Sequence, residues 1–91
     1  MHPETKKYHY MIRTTFNKLR DVKDCMPKGS SAVIAAELGI EADDVRAFFN
    51  GTYVAPGYHI EQGPDGGIVT LDDTRILEVA LRIGWAAKNA L

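Results

Sequence analysis

The stretch SAVIAAELGIEADDVRAFFNG, Ser31 to Gly51, places a small residue, a glycine and a β-branched residue at the intervals that two helices joined by a tight turn demand. With Ser31 as the first position of a twenty-residue unit, Ala35 falls where the two helices cross most closely and a larger side chain wedges them apart. Gly39 falls in the turn, where φ > 0 is wanted and only glycine escapes the Cβ penalty. Ile34, Leu38, Ile40, Val45 and Phe48 supply the apolar positions that hold the first helix to the second. An αα-hairpin in an ordinary helical bundle also needs an apolar repeat and a glycine turn. The conjunction of Ala35, Gly39 and Val45 at these spacings favours a helix-turn-helix instead, and with it DNA as the partner.

The rest of the chain sets the frame for that unit. Ninety-one residues suit one domain with a modest core. Apolar residues at 45% and charged residues at 25% are ordinary for a globular domain, and no apolar run approaches a bilayer span. The amino-terminal MHPETKKYHY has lysines without an apolar stretch behind them, so a cytoplasmic protein is expected. Cys25 is the sole cysteine, expected as a partly buried thiol, and His2, His9 and His59 show no ligand spacing. No metal site, cofactor or catalytic constellation is therefore expected, and the chain is not read as an enzyme.

Net charge is −1, which does little for a DNA binder, since affinity for DNA comes largely from cations on phosphates. The distribution is uneven. Through Lys28 the chain is near +4, and the remainder, with nine carboxylates against Arg46, Arg75, Arg82 and Lys88, is near −5. The basic first part is either a phosphate-facing stripe or a solvated helical face.

Tyr8, Ile12, Phe16, Leu19 and Val22 recur at helical spacing, which predicts a long first helix over 5–26. Pro27 and Gly29 break it, and Ser30 and Ser31 are N-cap candidates for the next. The helix-turn-helix occupies 31–50, with Asn50-Gly51 as its stop. Tyr58-His59-Ile60-Glu61 and Ile68-Val69-Thr70-Leu71 then read as a β-hairpin over 58–71 with a glycine-rich tip. This hairpin is a candidate wing on DNA, although Glu61 and Asp65 oppose that role and no Lys or Arg supports it. Asp72 or Asp73 caps a final helix over 73–90, with Ile76, Leu77, Val79, Ala80, Leu81 and Ile83 on its apolar face and Trp85 closing the core. The expected fold is mainly α, a small helical bundle containing a helix-turn-helix, with a β-hairpin insertion before the last helix.

IAAELGIEADDVRAFFNGTYV, followed after the hairpin by TRILEVALRIGW, resembles the DNA-binding headpiece of lactose-repressor-type regulators and, more loosely, phage-repressor-type domains. The matching positions are Ile34, Ala35, Leu38, Gly39, Ile40, Val45, Asn50, Gly51, Ile76, Leu77, Ala80, Gly84 and Trp85. The departures are the long first helix, the inserted hairpin, and Trp85-Ala86-Ala87-Lys88-Asn89-Ala90-Leu91 in place of the Tyr-x-Pro-Asn style of hinge. No sugar-binding domain is expected to follow. The resemblance thus implies a small stand-alone transcriptional regulator rather than ligand-responsive repression.

It also implies that the second helix lies in the major groove and turns Glu41, Ala42, Asp43, Arg46, Ala47 and Asn50 toward base edges. Arg46 suits guanine, and Asn50 suits adenine or a phosphate. Ser31 at a helix start, Lys28, Thr52 and Tyr53 are the phosphate candidates. Asp43 and Asp44 oppose a phosphate backbone and also serve as helix-start carboxylates. Double-stranded DNA is the expected partner, bound by a homodimer on a pseudo-palindromic site, because one hairpin reads too few base pairs. The first or final helix is the candidate dimer surface. The alternative is a protein-interaction module, adaptor or antitoxin-like, that meets a basic partner through its acidic second helix.

Overall fold

The computed structural model describes residues 12–89, with side chains through residue 87. Within them lie four helices and one three-stranded antiparallel sheet, in the order β1 (Ile12–Thr15), α1 (Phe16–Cys25), α2 (Ser30–Leu38), α3 (Ala42–Asn50), β2 (Tyr58–Glu61), β3 (Ile68–Leu71) and α4 (Arg75–Asn89).

The single helix expected over 5–26 is corrected here. Residues 12–15 are a strand, and only Phe16–Cys25 is helical; the part of that expectation before residue 12 lies outside the described residues. Ile12 and Phe16 are spaced as on a helix. However, Ile12, Thr14 and Thr15 are β-branched and find a partner strand in Ile68–Leu71, which decides the conformation. Thr15 is the residue where strand becomes helix: its backbone is extended, and its hydroxyl accepts from the Lys18 N–H at 3.3 Å. At the far end Pro27 holds Met26 extended, and α1 stops.

The hairpin is also more than an insertion. β3 is the central strand, paired with β2 on one side and β1 on the other, in the order β1-β3-β2. Val69 and Leu71 face inward and are buried, opposite Thr14 and Ile12 on β1 and Ile60 and Tyr58 on β2. The turn after β2 folds back on α1: the Phe16 N–H donates to the Gly67 carbonyl at 2.9 Å and the Asn17 N–H to the Asp65 carbonyl at 3.0 Å. Two N–H groups that a helix start leaves without an intrahelical acceptor are satisfied in this way.

Neither serine caps α2 as expected. Gly29 holds the N-cap position with φ +88°, and Ser30 is the first helical residue, buried, donating its hydroxyl to the Pro27 carbonyl at 2.6 Å. Three residues, Gly39 to Glu41, join α2 to α3. Gly39 sits at φ +71°, so that its own N–H and that of Ile40 both reach the Ala35 carbonyl. Gly57, at φ +81°, is the second position where only glycine fits: a Cβ there lies 2.3 Å from Cβ of Asp72, whose N–H donates to the Gly57 carbonyl. At the start of α4 the Asp73 carboxylate accepts from the Arg75 N–H at 3.0 Å.

One core draws on all four helices and the sheet: Leu19, Ile34, Ala35, Val45, Phe48, Phe49, Val69, Leu71, Ile76, Val79 and Ala80. Phe48 is at its centre, edge-on to Phe49 and beside Tyr53 and Tyr58. Two expectations fail at the α1–α4 side. Trp85 does not close the core but is 69% exposed, and Cys25 is exposed as well. Gly84 lets α1 and α4 come close there, since a Cβ on it would lie 3.3 Å from Cβ of Cys25, and Ala80 is fully buried beside it, so these small residues rather than the indole hold the two helices together. No helix among the described residues is long and apolar enough to cross a membrane.

Candidate nucleic-acid interface

Helix α3 separates cleanly into two faces. Val45, Phe48 and Phe49 are buried, which leaves Glu41, Asp43, Asp44, Arg46 and Asn50 exposed. Asp43, Arg46, Ala47 and Asn50 follow one another at three, one and three, and so form a single stripe along the helix. The β2–β3 hairpin does not cover that stripe. It meets α3 at the other side, where the Tyr58 hydroxyl donates to the Phe48 carbonyl at 2.6 Å and Ile60 approaches Gly51.

The charge on the stripe is mixed and partly self-cancelling. Arg46 forms an ion pair with Asp43, one turn back, and both side chains are largely exposed. Such pairs contribute about 0–1 kcal/mol, so the guanidinium is held in place without being committed. Glu41 and Asp44 leave the start of α3 acidic, a favourable position beside the helix dipole and an unfavourable one beside phosphates.

The remaining expected contacts fall into separate groups. Lys28 is exposed and Ser31 half-buried at the start of α2, whose first turn carries no acidic residue. Thr52 is exposed just beyond α3, its N–H donating to the Ala47 carbonyl. Ala42 is half-buried and packs against the core rather than standing on the outer face, and Ala47 is half-buried too. Tyr53 is turned inward: its ring lies 6.0 Å from Phe48 and 5.3 Å from Tyr58, both edge-on. Burial pushes the Tyr58 phenol up to about 12, which keeps its proton on the bond to Phe48.

A helical reading of residues 12–15 hides the outer face of the sheet. Arg13 on β1, Thr70 on β3 and His59 on β2 are aligned across the three strands, and with Glu61 they line one shallow hollow. Arg13, Thr15, Lys18, Pro64 and Ile68 line the next. The signal that reveals Arg13 is the β-branched run Ile12-Arg13-Thr14-Thr15, with alternate residues on opposite faces.

A cavity of about 220 Å³ lies between the end of α2, α3 and the start of α4, walled by Leu38, Ile40, Phe48, Tyr53, Tyr58 and Ile76. Asp73 and Arg75 also line it, bonded to each other through Arg75 Nε and Nη2, and this bonding lowers the Asp73 carboxyl from its usual range. Among the described residues no group of His, Cys, Asp and Glu is arranged to hold a metal ion. Comparison with protein families, with curated proteins and with solved structures gives no match to the chain.

Proposed function

We propose that the chain is a sequence-specific DNA-binding protein, a transcriptional regulator in which α2 and α3 form a helix-turn-helix and α3 enters the major groove. The observation that carries this reading is the open outer stripe of α3: Asp43, Arg46 and Asn50 are exposed in a row, while the hairpin and α4 pack elsewhere. Arg46 leaves its exposed partner Asp43 at little cost and bonds bidentately to guanine, and Asn50 at the end of the row reaches adenine or a phosphate. Lys28, beside the acid-free first turn of α2, serves the phosphate backbone together with the positive end of the helix dipole.

The test is retention of fragmented genomic DNA at low salt, followed by selection of the retained sequences. Wild-type protein is expected to enrich a defined sequence and to lose it as salt rises. Arg46→Ala is expected to weaken the selected complex at least about tenfold, the effect of one bidentate base contact. Absence of retention, or retention indifferent to Arg46→Ala, sinks the proposal.

A second reading is favoured by one observation, the three exposed carboxylates Glu41, Asp43 and Asp44 around the start of α3. On that reading the same helix docks a basic protein segment. The double variant Asp43→Asn, Asp44→Asn separates the two: it strengthens retention of DNA under the first and weakens capture of an arginine-rich peptide under the second.

A further inference from the structure

The cavity between the end of α2, α3 and the start of α4 has an apolar interior and a charged rim. Phe48, Tyr53 and Tyr58 give it an aromatic wall, their ring centroids 5.3 to 6.0 Å apart and the rings edge-on or tilted to one another. Leu38, Ile40 and Ile76 complete the apolar lining. Leu38, Ile40, Tyr53 and Tyr58 are only half-buried, so apolar surface here stays in contact with water, a cost that an apolar occupant removes.

At the rim the side chains of Asp73 and Arg75 are 57% and 63% exposed. Asp73 accepts from Arg75 Nε at 3.1 Å and Nη2 at 2.9 Å, and no bond among the described residues uses Nη1. The second edge of the guanidinium is thus open to another carboxylate, and the Asp73 oxygens have lone pairs left for another donor.

We infer that this cavity is a binding site for a free aromatic α-amino acid of the size of phenylalanine, its side chain inside and its two charges on the Asp73–Arg75 pair. A plain anion is attracted by Arg75 and repelled by Asp73, and a plain cation meets the reverse. Only a ligand with both charges on neighbouring atoms is attracted by both residues. An α-amino acid carries them on one carbon, with the carboxylate placed on the open edge of Arg75 and the ammonium beside Asp73. The interior sets the rest of the ligand. At about 30 Å³ for each water-sized group, the 220 Å³ cavity holds about seven non-hydrogen atoms, the number in a benzyl group. The aromatic wall offers that ring the edge-to-face contacts that aromatic pairs prefer. Leu38 and Ile40 flank the Gly39 turn and Tyr53 follows α3, so the occupant touches both helices of the α2–α3 unit and stabilises the folded form. The site lies apart from the outer stripe of α3, and it does not depend on the DNA reading.

Titration of the full chain with L-phenylalanine to about 20 mM tests the site, since about twelve well-placed non-hydrogen atoms correspond to a Kd on the order of 0.1–1 mM. Amide NMR is expected to show saturable shifts at Leu38, Ile40, Tyr53 and Ile76, and the melting temperature is expected to rise by about 5 °C or more at saturation. Phenethylamine, which lacks the carboxylate, and hydrocinnamate, which lacks the ammonium, are each expected to bind at least about tenfold more weakly, and alanine, which lacks the ring, not measurably. Arg75→Gln is expected to weaken phenylalanine at least about tenfold and to strengthen phenethylamine, because Asp73 then stands alone. Asp73→Asn, which keeps an acceptor at the start of α4, is expected to weaken phenylalanine and to strengthen hydrocinnamate. Both side chains are exposed, so the variants keep the fold, and melting curves without ligand verify this. Absence of saturable binding at the highest concentration overturns the inference. Equal binding of phenylalanine and its two singly charged analogues overturns it as well, as does binding unchanged in both variants.

Discussion

Tyr58 shows how one side chain serves two elements. Its ring packs against Phe48 and Tyr53, and its hydroxyl bonds the Phe48 carbonyl near the end of α3, so it ties the sheet to that helix. Its phenol is raised to about 12 in the fold against about 10 in the unfolded chain. A raised acid favours its protonated form when folded, so this contribution to stability is complete below pH 10 and is lost as pH rises from 10 toward 12. Replacing Tyr58 with Phe is expected to cost about 1 kcal/mol at pH 7 and to flatten that part of the alkaline decline. Urea unfolding of both proteins at pH 7 and pH 11 checks it; equal slopes against pH contradict the assignment. Arg46 belongs at this scale too. Its position on α3 was readable from spacing, but its pairing with Asp43 depends on both residues standing on one exposed face.

At the scale of the element, α1 owes its start to contacts on both sides of the junction with β1. Thr15 accepts from the Lys18 N–H, and the carbonyls of Asp65 and Gly67 take the first two helical N–H groups. Thr15→Ala is expected to destabilise the protein by about 1 kcal/mol, and Thr15→Asp, which keeps the acceptor, by much less. Chemical denaturation measures the difference; equal losses from the two variants mean that the cap contributes nothing. Local signals coincide with several of the element boundaries. Gly39 and Gly51 each end a helix by taking a positive φ that other residues rarely adopt, Pro27 ends α1 by holding the residue before it extended, and the largely β-branched Ile68-Val69-Thr70-Leu71 fits a half-buried strand. The junction at residues 15–16 left no such mark, since Ile12, Phe16 and Leu19 fit a helix equally well.

In the whole molecule, the core joins α3 to everything else through Phe48, which is 1% exposed and contacts rings from α3, the following loop and β2. Phe48→Ala is expected to cost about 3–5 kcal/mol, a large part of the stability of a domain this size. Thermal unfolding followed by far-ultraviolet and near-ultraviolet circular dichroism is expected to shift together in this variant. A loss of under about 1 kcal/mol contradicts the position of Phe48 at the centre of the core. The Arg82–Glu37 ion pair between α4 and α2 is exposed and adds little to this, consistent with packing rather than charge as the bond between the two helices.

The sequence by itself determined the helices around the glycine turn, the apolar face of each, and the residues available on the outer face of α3, because these follow from local periodicity and from backbone conformations that only glycine adopts freely. Tertiary structure alone decided three further features. Residues 12–15 became a strand because β3 offered an unsatisfied edge, and the glycine-rich turn became a support for α1 because its carbonyls met that helix's orphan N–H groups. Trp85 was left at the surface because Gly84 and Ala80 already bring α4 against the rest of the fold. Each of these depends on partners distant in the chain, and such partners leave no trace in the local pattern of the residues they organise.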